Sequence, residues 1–129
     1  MTTSLAWNFR LPAVPASVPE ARHAVRAALE SSGVTVADVE LAVSEAVTNV
    51  VRHGYRDGRP GAVEVAIASS DLGVEVVVRD RGVGPLLHPE VEALGVGVML
   101  MQTVADRFEL AGSQGVGTTV RMDFLFPSA

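Results

Sequence analysis

Glu45 and Asn49 stand four residues apart in the segment Leu41-Ala42-Val43-Ser44-Glu45-Ala46-Val47-Thr48-Asn49. On a helix that spacing stacks the two side chains on one face, about 6 Å apart. A carboxylate beside a neutral amide oxygen can serve an attacking hydroxyl or water and a magnesium ion, which prefers oxygen ligands and keeps several waters. Taken alone, the pair is equally what a solvated helix face carries. Three glycine-bearing segments follow. Asp80-Arg81-Gly82-Val83-Gly84 comes directly after an apolar run. Its glycines let a ligand approach the backbone, and its aspartate can accept a hydrogen bond from an exocyclic amine. The same residues also make an ordinary tight turn. They are not a dinucleotide fingerprint, because Leu87 stands where a third glycine would be needed. Gly95-Val96-Gly97-Val98-Met99-Leu100 opens a helical stretch. Free N–H groups and the positive end of the helix dipole make such a start a phosphate site, or else simply a helix start with a packing glycine. Gly115-Val116-Gly117-Thr118-Thr119-Val120 reads as a glycine-rich hairpin entering a strand.

The elements that must position these residues follow from periodicity. Leu5, Trp7, Phe9 and Leu11 alternate with polar or small residues as a strand does. Pro12 and Pro15 break pairing, and Ser17 with Glu20 forms a candidate capping box for a helix running to about Ser32, stopped by Gly33. Thr35 and Asp38 repeat that pattern before a second helix of about 36–53, whose Val39, Val43, Ala46, Val47 and Val50 share a face. Alternation at Val63, Val65 and Ile67, and again at Val74, Val76 and Val78, predicts a hairpin. A third helix of about 96–106 and two more strands, around Phe108 and from Thr118 to Phe126, complete the order. Each strand has one apolar face. The expected fold is therefore α+β, a two-layer sandwich of a mixed, mostly antiparallel sheet with helices on one face. Asp80 shares parity with Val74, Val76 and Val78, and Thr118 with Val120 and Met122. Both polar groups should point to the helix-covered face at strand ends, which requires partners and suggests a pocket.

Composition narrows the function classes. The chain has 129 residues, 48% hydrophobic and 19% charged, which suits one globular domain spanning 1–129. The absence of cysteine excludes disulfides, thiol nucleophiles and cysteine metal sites. All ten basic residues are arginine, so lysine chemistry is excluded too. A net charge of −5 argues against direct nucleic-acid binding. No stretch reads as an export signal or membrane helix, and a cytoplasmic protein is expected. His23, His53 and His88 lack zinc-ligand spacing.

In order and spacing the four segments resemble the motifs of the GHKL ATPase superfamily, which includes gyrase, MutL and the sensor histidine kinases. Leu41 to Tyr55 looks like the N box, and Asp80-Arg81-Gly82-Val83-Gly84 like the first glycine box. Gly95-Val96-Gly97 with Leu100, and Gly117-Thr118-Thr119-Val120, look like the second and third. The wording Glu-Ala-Val-Thr-Asn-Val-Val-Arg-His-Gly-Tyr is most similar to the anti-sigma factor serine/threonine protein kinases.

That resemblance implies a Bergerat-type sandwich holding ATP or ADP between helices and sheet. Asn49 would bind Mg2+ bridging the phosphates, and Glu45 would be general base toward the substrate hydroxyl. Asp80 would hold the adenine amino group with help from Thr118. Gly82 and Gly84 would let the base lie close, and Gly95 and Gly97 would cradle phosphates. The partners implied are a sigma factor and an anti-anti-sigma (STAS-type) protein, phosphorylated on serine or threonine. Arg22 and Arg26, spaced i,i+4 on the first helix, are candidate partner contacts. Trp7, Phe9 and the polar sheet face permit a homodimer. The stretch from Pro85 to Leu94 contains no arginine, although family members often carry a basic residue there. That departure leaves open a non-catalytic anti-sigma-type binding module.

Overall fold

The computed structural model describes residues 5–30, 36–84 and 95–127. Five strands and three helices alternate along them. Strand β1 (Leu5–Pro12) leads into helices α1 (Ser17–Leu29) and α2 (Val36–Asn49). A π-helical turn, Val50–Gly54, extends α2. The hairpin β2 (Ala62–Ser69) and β3 (Gly73–Asp80) follows, then α3 (Gly95–Val104), β4 (Arg107–Ser113) and β5 (Gly117–Leu125). The strands lie in the order β1-β2-β3-β5-β4. Every neighbouring pair is antiparallel, so the sheet is not mixed as the sequence suggested. Periodicity specifies a strand's faces but not its neighbour's direction, which is where that expectation went astray.

The alternation places the core. Val63, Val65 and Ile67 of β2, Val74, Val76 and Val78 of β3, and Val120, Met122 and Phe124 of β5 are all buried. Across from them α1 buries Ala21, Val25 and Leu29, one residue per turn. Helix α2 buries Val39, Ala42, Val43, Ala46 and Val47. Valine is a modest helix former, so α2 is held by this packing more than by intrinsic preference. Its two-residue-wide apolar stripe leaves Glu45 and Asn49 half-buried at the margin.

One local expectation needs correction. Ser17 does not cap α1: its hydroxyl turns back to donate to the Pro12 carbonyl at 2.6 Å, and Ala16 takes the N-cap position without a side-chain bond. The described part of α1 ends at Leu29, where the Glu30 N–H bonds the Arg26 carbonyl at 3.0 Å. The expected stop at Gly33, the cap at Thr35, the segment from Pro85 to Leu94 and His88 lie outside the described residues.

Candidate functional site

Asp80 ends β3 and Thr118 lies directly opposite it on β5. Strand parity turns both inward, as expected, and both line one cavity of ≈ 200 Å³ between sheet and helices. Ala46, Val50, Val78 and Val120 supply its apolar walls, and Asn49 and Gly84 reach it from α2 and the turn after β3. A larger open hollow of ≈ 480 Å³ lies along β1–β3, lined by Asn8, Arg10, Glu64 and Arg79, but it gathers none of the candidate residues.

Asp80 is 5% exposed. Burial raises its pKa, while hydrogen bonds from the backbone N–H groups of Gly82 and Thr118, and the charge of Arg56, pull the other way. The Gly82 N–H donates to Oδ1 at 2.8 Å. The carboxylate is thus held by backbone N–H groups from the turn and from β5, and set beside the apolar wall of Val78 and Val120. A group so placed strongly favours a ligand that donates a hydrogen bond to it.

The turn after β3 is built by close backbone contact. A side chain at Gly82 would collide with the Gly54 carbonyl oxygen, which accepts the Val83 N–H at 2.8 Å. Gly82 therefore meets the π turn and is not a wall of the cavity. Gly84 has φ +91°, a left-handed conformation that favours glycine, and it does border the cavity.

Asn49 also stands with Glu45 against the first turn of α3, which begins at Gly95, although Glu45 and Gly97 do not themselves line the cavity. A Cβ built at Gly97 would lie 3.1 Å from Glu45 Oε1 and 3.4 Å from Asn49 Oδ1. The free N–H groups of a helix start therefore stand beside an oxygen pair. The donor set fits magnesium in the way that ion is usually held, through one or two protein oxygens with phosphates and water completing the shell. Among the described residues no three His, Asp or Glu side chains are grouped to hold a metal on their own.

Glu45 also borders a hollow of ≈ 290 Å³ between α1 and α2, together with Arg22, Arg26, Glu40 and Ser44. Arg26 donates to both oxygens of Glu40, at 3.0 and 3.2 Å. Glu40 is buried, so Arg26 serves as its counter-charge as well as facing the hollow.

Sequence reasoning missed His53 and Arg56, which also line the cavity. His53 continues the stripe of Glu45 and Asn49 by four more residues, a signal that was legible. Partial burial, then the charges of Arg56 and Arg52, lower the His53 pKa. That shift favours the neutral ring, which can accept as well as donate a hydrogen bond. The Arg56 guanidinium donates to the His53 carbonyl at 2.8 Å, closing the π turn. A π turn opens the backbone at a place where one face must present polar groups, and such turns recur at functional sites.

Comparison with known proteins bears on this arrangement. The family described as "Histidine kinase-like ATPase domain" matches residues 11–124. The chain belongs to that family. As a histidine kinase-like ATPase domain it is 30% identical over 112 residues to the anti-sigma F factor of Bacillus cereus, a match spanning 78% of this chain and 77% of the relative. The anti-sigma F factor of Bacillus cytotoxicus is 32% identical over 96 residues, 66% of each chain. The ATPase domain also shares its fold with the crystal structure of the RsbU and RsbW domains of Rv1364c from Mycobacterium tuberculosis. That likeness has a TM-score of 0.73 and 24% identity, and covers 97% of this chain but 33% of the longer one. No helix among the described residues is long and apolar enough to cross a membrane.

Proposed function

We propose that this ATPase domain acts as a single cytoplasmic unit, an ATP-binding anti-sigma regulator with protein serine/threonine kinase activity. The observation that carries the reading is the path from the Asp80 and Thr118 wall of the cavity, past Asn49 in the same cavity, to Gly97, on which Glu45 and Asn49 converge. A nucleotide spanning that distance meets an amine acceptor for its base and helix N–H groups for its phosphates. Relatives named anti-sigma F factor support the regulatory half of the proposal.

In this reading Asp80 accepts the adenine amine, Thr118 assists, and Gly84 gives the base room. Gly95 and Gly97 present N–H groups to the phosphates. Asn49 would hold magnesium, which would supply positive charge against the phosphates. Glu45 takes the proton of the attacking serine or threonine hydroxyl as the new P–O bond forms and ADP leaves. The hollow that Glu45 shares with Arg22 and Arg26 lets the acceptor, an anti-anti-sigma protein, approach from the side away from the base. Phosphate adds about two negative charges to that partner and loosens the complex, which leaves the domain free to hold a sigma factor.

A second reading, a binding module without transfer, draws support from the lack of any arginine between Pro85 and Leu94. Titration with ATP and ADP, with and without magnesium, tests the pocket. Transfer of labelled γ-phosphate to an anti-anti-sigma protein tests the chemistry. Tight partner binding without transfer would decide for the module. Absence of nucleotide binding would remove both the kinase and the ATP-dependent switch.

A further inference from the structure

Tyr55 follows the π turn, and its hydroxyl joins segments far apart in the chain. It donates to the Ala62 carbonyl at 2.7 Å and accepts the Arg81 N–H at 3.0 Å. Its ring lies so close over Gly61 that any side chain there would collide with it. One side chain thus ties the end of the α2 extension to the first residue of β2 and to the first residue after β3. The consequence for the turn after β3 is specific. Its three successive N–H groups, on Arg81, Gly82 and Val83, are taken up by Tyr55 Oη, Asp80 Oδ1 and the Gly54 carbonyl. Two of those three acceptors belong to the adjacent residues Gly54 and Tyr55. The turn that meets the Asp80 carboxylate is therefore held from the helix side, while the Thr118 N–H meets the carboxylate from β5.

We propose that Tyr55 is a positioning residue for base selection: by tying the backbone directly after Asp80 to the start of β2, it sets the carboxylate where it separates an amino-bearing purine from a keto-bearing one. The inference rests on the nucleotide reading of the cavity and adds to it the residue that makes the cavity selective. The chemistry is a difference between two hydrogen-bonding patterns. A carboxylate oxygen accepts from an exocyclic amine and repels a carbonyl oxygen in the same place. A site built around such a bond discriminates strongly only while its geometry is held. A phenyl ring at position 55 keeps the packing over Gly61 but leaves the Arg81 N–H and the Ala62 carbonyl without their shared partner.

The test is titration of the full chain with ADP and with inosine diphosphate, which carries a carbonyl where ADP carries the amine, alongside the melting temperature. Tyr55→Phe is expected to weaken ADP binding about fivefold, the factor expected for loss of one net hydrogen bond. Inosine diphosphate binding stays within about twofold, so the ratio of the two affinities narrows. Arg59→Ala removes the exposed cation that sits 5.9 Å from the Tyr55 ring centre, together with its ion pair to Asp57, and leaves both bonds of the Tyr55 hydroxyl; it keeps the wild-type ratio. A general loss of stability would weaken both ligands alike and leave the ratio unmoved, which overturns the proposal. If Tyr55→Phe melts below the titration temperature, Gly61→Ala replaces it, since it displaces the ring and keeps the hydroxyl; the same narrowing is expected, and an unchanged ratio overturns the proposal. A wild-type chain that binds ADP and inosine diphosphate equally overturns base selection by Asp80 and the role of Tyr55 with it. A wild-type chain that binds neither overturns the nucleotide reading itself.

Discussion

Gly82 rests its α-carbon against the carbonyl oxygen of Gly54, leaving no room for a methyl group between them. The neighbour is backbone, so it cannot swing aside as a side chain would. Gly82→Ala should cost about 1–3 kcal/mol of stability and push the turn after β3 off the π turn. Urea denaturation measures the first effect and ADP titration the second. Wild-type values for both would mean that the two segments do not depend on each other.

Gly97 presents the opposite case. A methyl group there would meet Glu45 Oε1 at 3.1 Å and the Asn49 amide at 3.4–3.5 Å, both at the ends of flexible side chains. Alanine also favours a helix over glycine by about 1 kcal/mol. Gly97→Ala should therefore fold at least as stably as wild type while binding magnesium-ADP about tenfold more weakly, a difference of about 1.4 kcal/mol. Unchanged affinity would place the phosphates away from the start of α3.

Glu45 and Asn49 should separate chemistry from binding. Glu45→Ala is expected to keep ATP affinity and to lose transfer by about 10²–10⁴-fold, the usual contribution of a general base. Asn49→Ala is expected to weaken ATP binding in magnesium and to leave magnesium-free binding nearly as it was. Single-turnover transfer assays and paired titrations read the two outcomes. Equal loss of binding in both variants would show that the roles are wrongly divided.

The pH dependence of stability should carry the mark of Asp80. Burial raises its folded pKa above the ordinary value of 3.8, so the folded chain holds that proton more tightly than the unfolded one. The group's stabilising contribution is present at low pH and is lost as pH rises through the folded pKa. Asp80→Asn, which stays neutral, should be more stable than wild type at pH 7, and the gap should shrink as pH falls. Denaturation curves at several pH values check this. A gap that grows on acidification would mean that the carboxylate is stabilised in its charged form.

Arg22 and Arg26 look equivalent in sequence and differ in the structure. Arg26 balances Glu40, whose side chain is 9% exposed, so Arg26→Ala should cost on the order of 1–2 kcal/mol before any partner is added. Arg22→Ala should leave the melting temperature unchanged and weaken anti-anti-sigma binding. A partner affinity indifferent to Arg22 would move the docking surface off α1.

What the sequence revealed, and what it withheld, divides by distance along the chain. The α2 stripe, the inward parity of Asp80 and Thr118, and the β2–β3 hairpin all follow from local periodicity, and the structure contains each. Ser17 looked like a cap because local rules do not see the Pro12 carbonyl folding back within reach. The π turn leaves no periodic mark of its own in Val50–Gly54. The Tyr55 bond to Arg81 joins residues 26 positions apart, beyond any local pattern. The direction of strand pairing is likewise a property of the assembled sheet.

The pairing of β3 with β5 carries a consequence for synthesis. Asp80 meets Thr118 only after α3 and β4 have been made, because both intervene between the paired strands. A nascent chain that has released β1, both early helices and the β2–β3 hairpin already has Asn49, the π turn and Asp80. Its third strand still ends in an open edge, and the wall carrying Thr118 and Val120 does not exist. Long-range strand closure is slow, and an unpaired edge invites wrong partners. With nucleotide at the proposed site, ligand is therefore expected to steady only a chain that already includes β5, and a truncation before β5 is expected to gain no stability from it.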